Sequence, residues 1–150
     1  MIKKICSSQD IEQAIVLLKE FVRETVYRDY EEQVNEMHLG RLVHMIMHGH
    51  FAWLAELDGE PVGILLAVKE ANIWAPSQKQ MRELVWYVRP EHRQGVTAGR
   101  LFLEYCHVAD ELLKDGAIQG YFTTRMSTTE EINLERRGFR LTEQTYLKEH

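Results

Sequence analysis

The sequence predicts an α/β fold of the α+β type, a mixed sheet carrying helices on both faces. Three observations predict it. Apolar residues recur at helical spacing in some segments and fill strand-length runs in others. The elements read in the order β-α-α-β-β-β-α-β-α-β, hairpins first and βαβ-like alternation afterwards. The chain has 150 residues, 45% hydrophobic and 27% charged, the length and composition of one folded domain. That composition excludes a disordered chain, a collagen-like repeat and a disulfide-dense mini-protein. No Pro-, Gly- or Ser-rich linker and no internal repeat interrupts it, so residues 1–150 are expected to form a single domain.

Ile2 to Ser7 reads as a short edge strand. Ser7 and Ser8 then offer N-cap hydroxyls, with Asp10 three residues after Ser7 in capping-box spacing. Ile11, Ala14, Ile15, Leu18 and Val22 form the stripe of an amphipathic helix of about four turns. A polar break from Tyr27 to Glu32 precedes a second helix carrying Val34, Met37, Leu42, Met45 and Ile46, closed at Gly49. Phe51 to Glu56 is a strand, Asp58-Gly59 a hairpin turn, and Pro61 to Glu70 the returning strand, apolar enough to be central. Asn72 to Lys79 is a loop, and Arg82 to Val88 is an aromatic and β-branched strand stopped by Pro90. Gly95 to Lys114 is helical and ends at Asp115-Gly116. Ile118 to Thr124 is a strand. Ser127 and Thr128, each three residues before a Glu, start a short helix ended by Gly138, and Phe139 to Leu147 is the last strand.

The formal net charge is -5, which argues against nucleic-acid binding through bulk charge. Cys6 and Cys106 belong to no CxxC pair, which fits a reduced, cytoplasmic setting. No apolar run is long enough to span a membrane, and no apolar signal core follows Lys3-Lys4, so a complete cytoplasmic protein is expected.

The informative stretch is Leu84 to Leu101. A strand ends, Pro90 turns the chain, and a small-residue loop enters a long helix. Unpaired N–H groups at a helix start favour an anion, and small residues let a phosphate approach the backbone. Arg93 and Arg100 add positive charge. An ordinary strand–turn–helix corner is the other reading of the same residues.

Val88-Arg89-Pro90-Glu91-His92-Arg93, the Gly/Ala loop and the helix after it resemble motif A of the GNAT N-acetyltransferase superfamily. Arg136-Arg137-Gly138-Phe139 resembles the family's glycine-phenylalanine ending, and the element order is similar along nearly the whole chain. The resemblance implies a mixed, mostly antiparallel central sheet of about six to seven strands, with a V-shaped splay between Arg82–Val88 and Ile118–Thr124. It implies acetyl-CoA as acyl donor, held along the backbone of Trp86, Tyr87 and Val88 and by the loop and helix start Arg93, Gln94, Gly95, Val96, Thr97, Ala98, Gly99 and Arg100. The family's loop reads Arg/Gln-x-x-Gly-x-Gly/Ala. Arg93 and Ala98 match it, whereas Val96 stands where glycine is usual.

Transfer to an amine needs a base, and Glu83 lies where many family members carry a glutamate. Period-2 alternation would set Leu84, Trp86 and Val88 on one face and Glu83, Val85 and Tyr87 on the other. A strand glutamate that is solvated, or salt-bridged with Arg82, is the alternative. The family's usual acid, a tyrosine, is replaced by Leu134; Tyr121 is the leading substitute, with Tyr105, Tyr87 or water as others. Tyr30, Glu31, Trp74 and Thr124 are expected to contact the acceptor: the first two helices wall that site in the family, which brings in Tyr27 to Glu36, and Trp74 lies in the loop before the cofactor strand, where it could cover an acceptor. Asp29, Glu31, Glu32 and Glu36 suit a cationic amine or are a solvated helix start. Trp74 reads equally as a homodimer contact. His44 and His48 share metal-ligand spacing, but no Glu or Cys nearby completes a site, so no metal is expected. The expected partner is an amine-bearing small molecule or protein, with no nucleic acid and no membrane. A GNAT-fold binding module without turnover is the second reading, resting on Val96 and Leu134.

Overall fold

The computed structural model describes residues 1–49, 51–125 and 133–149. Ser127 and Thr128 lie outside them. Five strands form one sheet in sequential order: β1 (Ile2–Lys4), β2 (Phe51–Leu57), β3 (Glu60–Ala71), β4 (Lys79–Val88) and β5 (Tyr121–Phe122). The first four are antiparallel, and β5 joins β4 in parallel. Helices α1 (Ser8–Arg23) and α2 (Glu36–Gly49) cover one face, and α3 (Thr97–Lys114) covers the other.

Local signals explain most boundaries. Ser7 caps α1 with a full capping box: its hydroxyl accepts the Asp10 N–H at 3.1 Å, and the Asp10 carboxylate accepts the Ser7 N–H at 3.0 Å. Burial alone would raise the Asp10 carboxyl, but Lys3 at 2.7 Å and the Cys6 and Ser7 donors outweigh it and hold it well below the usual range. Asp58 (φ 51°) and Gly59 (φ 86°) turn β2 into β3 with the two positive φ angles of a type I′ hairpin. The polar break before α2 contains a 3-10 turn, Arg28–Gln33.

Two apolar layers sandwich the sheet. On the α3 side, Leu65, Ala67, Met81 and Val88 pack with Leu101, Phe102, Tyr105 and Ala109. On the other side, Leu54, Ile64, Leu66 and Tyr87 pack with Ala14, Leu17, Leu18, Val43 and Ile46. Gly63 sits where β3 passes closest to β4 and α3: a Cβ there would lie 2.9 Å from Val88 Cγ2 and 3.0 Å from the Tyr87 carbonyl oxygen.

Two expectations are corrected. The sheet of the described residues has five strands, not six to seven. The expected closing strand, Phe139 to Leu147, is not a strand: Phe139 is half-buried against Phe102 and Tyr121, and residues 140–149 are exposed and outside any ladder. Among the described residues the sheet edge after β4 is β5, paired over two residues, too short a template for a further strand.

Candidate active site at the fork between β4 and β5

β4 and β5 are paired only at Met81–Tyr121 and Arg82–Phe122. Beyond that point no described residue pairs with the outer edge of β4, which runs on to Val88, so a fork opens between the two strands among the described residues. The Arg89 N–H donates to the Val62 carbonyl at 2.9 Å. In an antiparallel ladder alternate residues face the partner. Arg89, Tyr87 and Val85 therefore turn their main-chain groups toward β3, and Val88 and Trp86 turn theirs away from it, the Val88 carbonyl accepting the Arg93 Nε–H.

Glu83 sits at the base of the fork. It is 5% exposed, and its carboxylate accepts the Thr123 hydroxyl and the Thr124 N–H, each at 3.0 Å. Burial raises its carboxyl above the ordinary value; the two donors and the Arg82 charge pull the other way without cancelling that rise. The expected alternation fails here. Leu66 is opposite Val85 and Ala67 opposite Glu83, so Leu84 is an extra, bulged residue, 42% exposed. The bulge moves Glu83 onto the α3 side with Met81, not beside Val85 and Tyr87. Leu84 likewise does not share the face of Trp86 and Val88. Arg82, the partner foreseen for Glu83, pairs instead with Glu70 at 2.9 Å.

Tyr105 closes the fork from α3. Its buried hydroxyl donates to the Phe122 carbonyl, and burial followed by the nearby Glu83 charge raises its pKa. Tyr121 points elsewhere. Its hydroxyl donates to Asp110 at 2.8 Å, far along α3 from that helix's first turn, and burial followed by this bond raises its pKa. Leu134 is half-buried against the α3-side core, and the 3-10 turn Glu135–Arg137 ends at Gly138 with φ 85°.

At the open end of the fork lies the start of α3. Its N-cap, Val96, is 64% exposed and gives no side-chain cap, and no acidic residue stands in the first turn. The first helical bond runs from the Arg100 N–H to the Val96 carbonyl at 2.9 Å, which leaves the Thr97, Ala98 and Gly99 amides ahead of it. Gln94 and Gly95 are exposed, as is Arg100. α1, by contrast, has its start filled by its own capping box. Valine at the expected glycine position leaves these amides in place, because any non-proline residue supplies one.

Arg93 does not face this helix start. Its Nε donates to the Val88 carbonyl at 2.7 Å, its Nη2 meets Glu24 at 2.5 Å, and its guanidinium lies 5.5 Å from the Tyr87 ring centre. Trp86 is half-buried and stacks on Phe102 with centroids 4.6 Å apart. The buried Tyr87 faces α1 and donates its hydroxyl to Glu24 at 3.2 Å. The expected acceptor residues are spread out. Thr124 reaches the fork through its amide. Tyr30 stacks on Tyr27, Glu31 pairs with Arg23, and Trp74 is 88% exposed at the tip of the β3–β4 hairpin. His44 and His48 approach at 3.2 Å between their Nε2 atoms, and no group of three or more metal-type ligands occurs among the described residues. Sequence reasoning missed Thr123 as a partner of Glu83, and it missed Glu20, Glu24 and Arg89. The one available signal was matched i,i+4 spacing, Glu20 with Glu24 and Arg89 with Arg93.

No helix of the described residues is long and apolar enough to cross a membrane. No family model and no curated protein sequence matches the chain. Solved structures do. A transcriptional regulator from Bacillus halodurans matches with a TM-score of 0.70 at 16% identity, over 100% of this chain and 98% of its own. A GNAT family acetyltransferase from Staphylococcus aureus matches with a TM-score of 0.63 at 15% identity, over 99% and 97%. A predicted acetyltransferase from Clostridium acetobutylicum, solved with acetyl-CoA, matches with a TM-score of 0.63 at 11% identity, over 100% and 96%. Acetyltransferases recur among the other matches. With its forked sheet and open helix start, the chain has the fold of the GNAT acetyltransferases.

Proposed function

We propose that the protein is an acyl-CoA-dependent N-acetyltransferase that passes an acetyl group from acetyl-CoA directly to a primary amine of a small molecule or protein in a ternary complex. The observation that carries this reading is the continuity of the fork. Among the described residues, an unpaired β4 edge runs from the buried Glu83 to the uncapped start of α3. Val88 lies five residues from Glu83, about 16 Å of extended chain, a span suited to an extended pantetheine arm.

Acetyl-CoA supplies the acetyl group as an activated thioester. The Thr97, Ala98 and Gly99 amides hold the pyrophosphate. The outward main-chain groups of Trp86 and the Val88 N–H hold the arm, the Val88 carbonyl being taken by Arg93, and an N–H from this edge meets the charge developing on the acetyl oxygen. Glu83, directly or through a water, accepts the proton that the attacking amine must lose. Water protonates the departing thiolate. Tyr121 is already committed to Asp110, and a thiol leaves readily without an acid.

Calorimetry with CoA and desulfo-CoA tests the donor half of this reading, and thiol release with a panel of amines tests the acceptor half. Binding of both ligands with release of CoA thiol for at least one amine is expected. Absence of binding at millimolar CoA ends the proposal. A second reading, a GNAT-fold module that binds without turnover, draws on Leu134, which fills the usual acid position with a core side chain. Binding without thiol release across the panel would favour it.

A further inference from the structure

The loop entering α3 is held in an unusual way. Its main chain is tied at the His92 N–H to the Arg89 carbonyl, at the Arg93 N–H to the Pro90 carbonyl, and next at the Val96 carbonyl to Arg100. Residues 94–96 between these points are exposed. The Arg93 side chain is therefore the last strong anchor before the helix start.

That anchor is part of a network on α1. Arg89 grips Glu20 with two bonds of 2.9 Å, one to each carboxylate oxygen. Arg93 joins Glu24 at 2.5 Å and the Val88 carbonyl at 2.7 Å. The Tyr87 hydroxyl donates to Glu24 at 3.2 Å, with Glu20 3.5 Å away. Glu20 and Glu24 are one turn apart on α1, a repulsive pair on a bare helix. Two arginines neutralise them, and those arginines flank the turn that delivers the loop. The planar fork of Arg93 serves a carboxylate and a carbonyl at once in a fixed geometry, whereas a lysine ammonium has to order a more flexible stem to do the same.

We infer that Glu24, acting through Arg93, is a positioning residue: the pair latches the 94–99 segment to α1 and so sets the affinity of the α3 start for a pyrophosphate. The consequence for the donor rests on the function proposed above. Arg93 itself makes no phosphate contact in this scheme; it fixes the amides that do.

The test uses the full chain with Glu24→Gln, which keeps the shape and removes the charge, and with Arg93→Lys. Thermal melting confirms that each variant is folded. Glu24→Gln is expected to raise Kd and KM for acetyl-CoA about five- to tenfold while kcat at saturation stays within about twofold. The KM for acetyl-pantetheine, which has no pyrophosphate, is expected to stay the same. Equal losses for both donors, an unchanged KM for acetyl-CoA, or tighter CoA binding by a released Arg93 would each overturn the inference. Hydrogen exchange separates this failure from that of the proposed function. Amides 94–99 of free Glu24→Gln and Arg93→Lys are expected to exchange at least about threefold faster than in the parent. If the parent binds no CoA, the functional reading fails and the exchange rates alone decide the latch; unchanged rates there reject it.

Discussion

At the scale of the residue, the decisive group is Glu83. A carboxylate with 5% exposure is costly to ionise, and two donors reduce that cost without removing it. Because its folded-state pKa is raised, its contribution to stability is full while the unfolded carboxyl is still protonated. It is lost as pH rises through the higher folded value, so at neutral pH the buried charge destabilises the fold. Glu83→Gln is therefore expected to raise the melting temperature at pH 7 by about 2–4 °C, with the gain shrinking below the usual carboxylate range. The same substitution removes the proposed base, and kcat is expected to fall about a hundredfold or more with CoA affinity kept. Parallel melting curves and steady-state rates check this. A stable variant with full activity would remove Glu83 from the mechanism. The sequence made the residue's identity legible and hid its surroundings, because alternation cannot register one bulged leucine.

Single elements were legible where the signal is local and opaque where a partner decides. Ser7 with Asp10, and Asp58 with Gly59, act through bonds and φ angles a few residues apart, and both appear as expected. The bulge at Leu84 is a mismatch of register between β4 and β3, visible only when the two strands are paired. No window of β4 alone contains that conflict. The closest packing of these elements makes a second prediction. An alanine at Gly63 would press its Cβ against the Tyr87 carbonyl at 3.0 Å, Leu101 Cδ1 at 3.0 Å and Val88 Cγ2 at 2.9 Å. The carbonyl belongs to backbone and cannot swing aside, so β3, β4 and α3 must separate. Gly63→Ala is expected to cost about 1–3 kcal/mol, read by denaturant unfolding, and to weaken CoA binding because Val88 ends the β4 edge of the fork. Gly40→Ala in α2 is the control. Its Cβ would meet Ile15 Cδ1 at an ordinary 3.5 Å, so helix propensity should make it neutral or slightly stabilising. Equal stability of the two variants would show that the close approach at Gly63 is relaxed in solution.

For the whole molecule, the layered order of helices and strands followed from hydrophobic periodicity, which is averaged over many residues. The C-terminal segment did not. Leu141, Thr142, Glu143, Gln144 and Thr145 have strand-like composition, but strand formation needs a ladder, and β5 offers two residues. Apolar side chains are left exposed there, Leu141 at 72% and Tyr146 at 86%. Net charge also misleads when taken over the whole chain. At -5 it disfavours polyanions, yet the start of α3 concentrates free amides, a helix dipole and Arg100 in one place. In the proposed reading, this local field outweighs the global sign for a ligand small enough to sit at one helix end. A ligand that binds only the folded chain stabilises it by mass action, by about 2.7 kcal/mol at a hundred times Kd. For a chain of this size that corresponds to a rise in melting temperature of about 5–10 °C. Acetyl-CoA and CoA are expected to give this rise, and acetyl-pantetheine a smaller one, because it lacks the anion proposed to sit at the helix start. Added salt should reduce the difference between them, since screening acts on the phosphate contacts. Equal shifts for acetyl-CoA and acetyl-pantetheine would mean that the α3 start contributes nothing, and that the fork alone binds the donor.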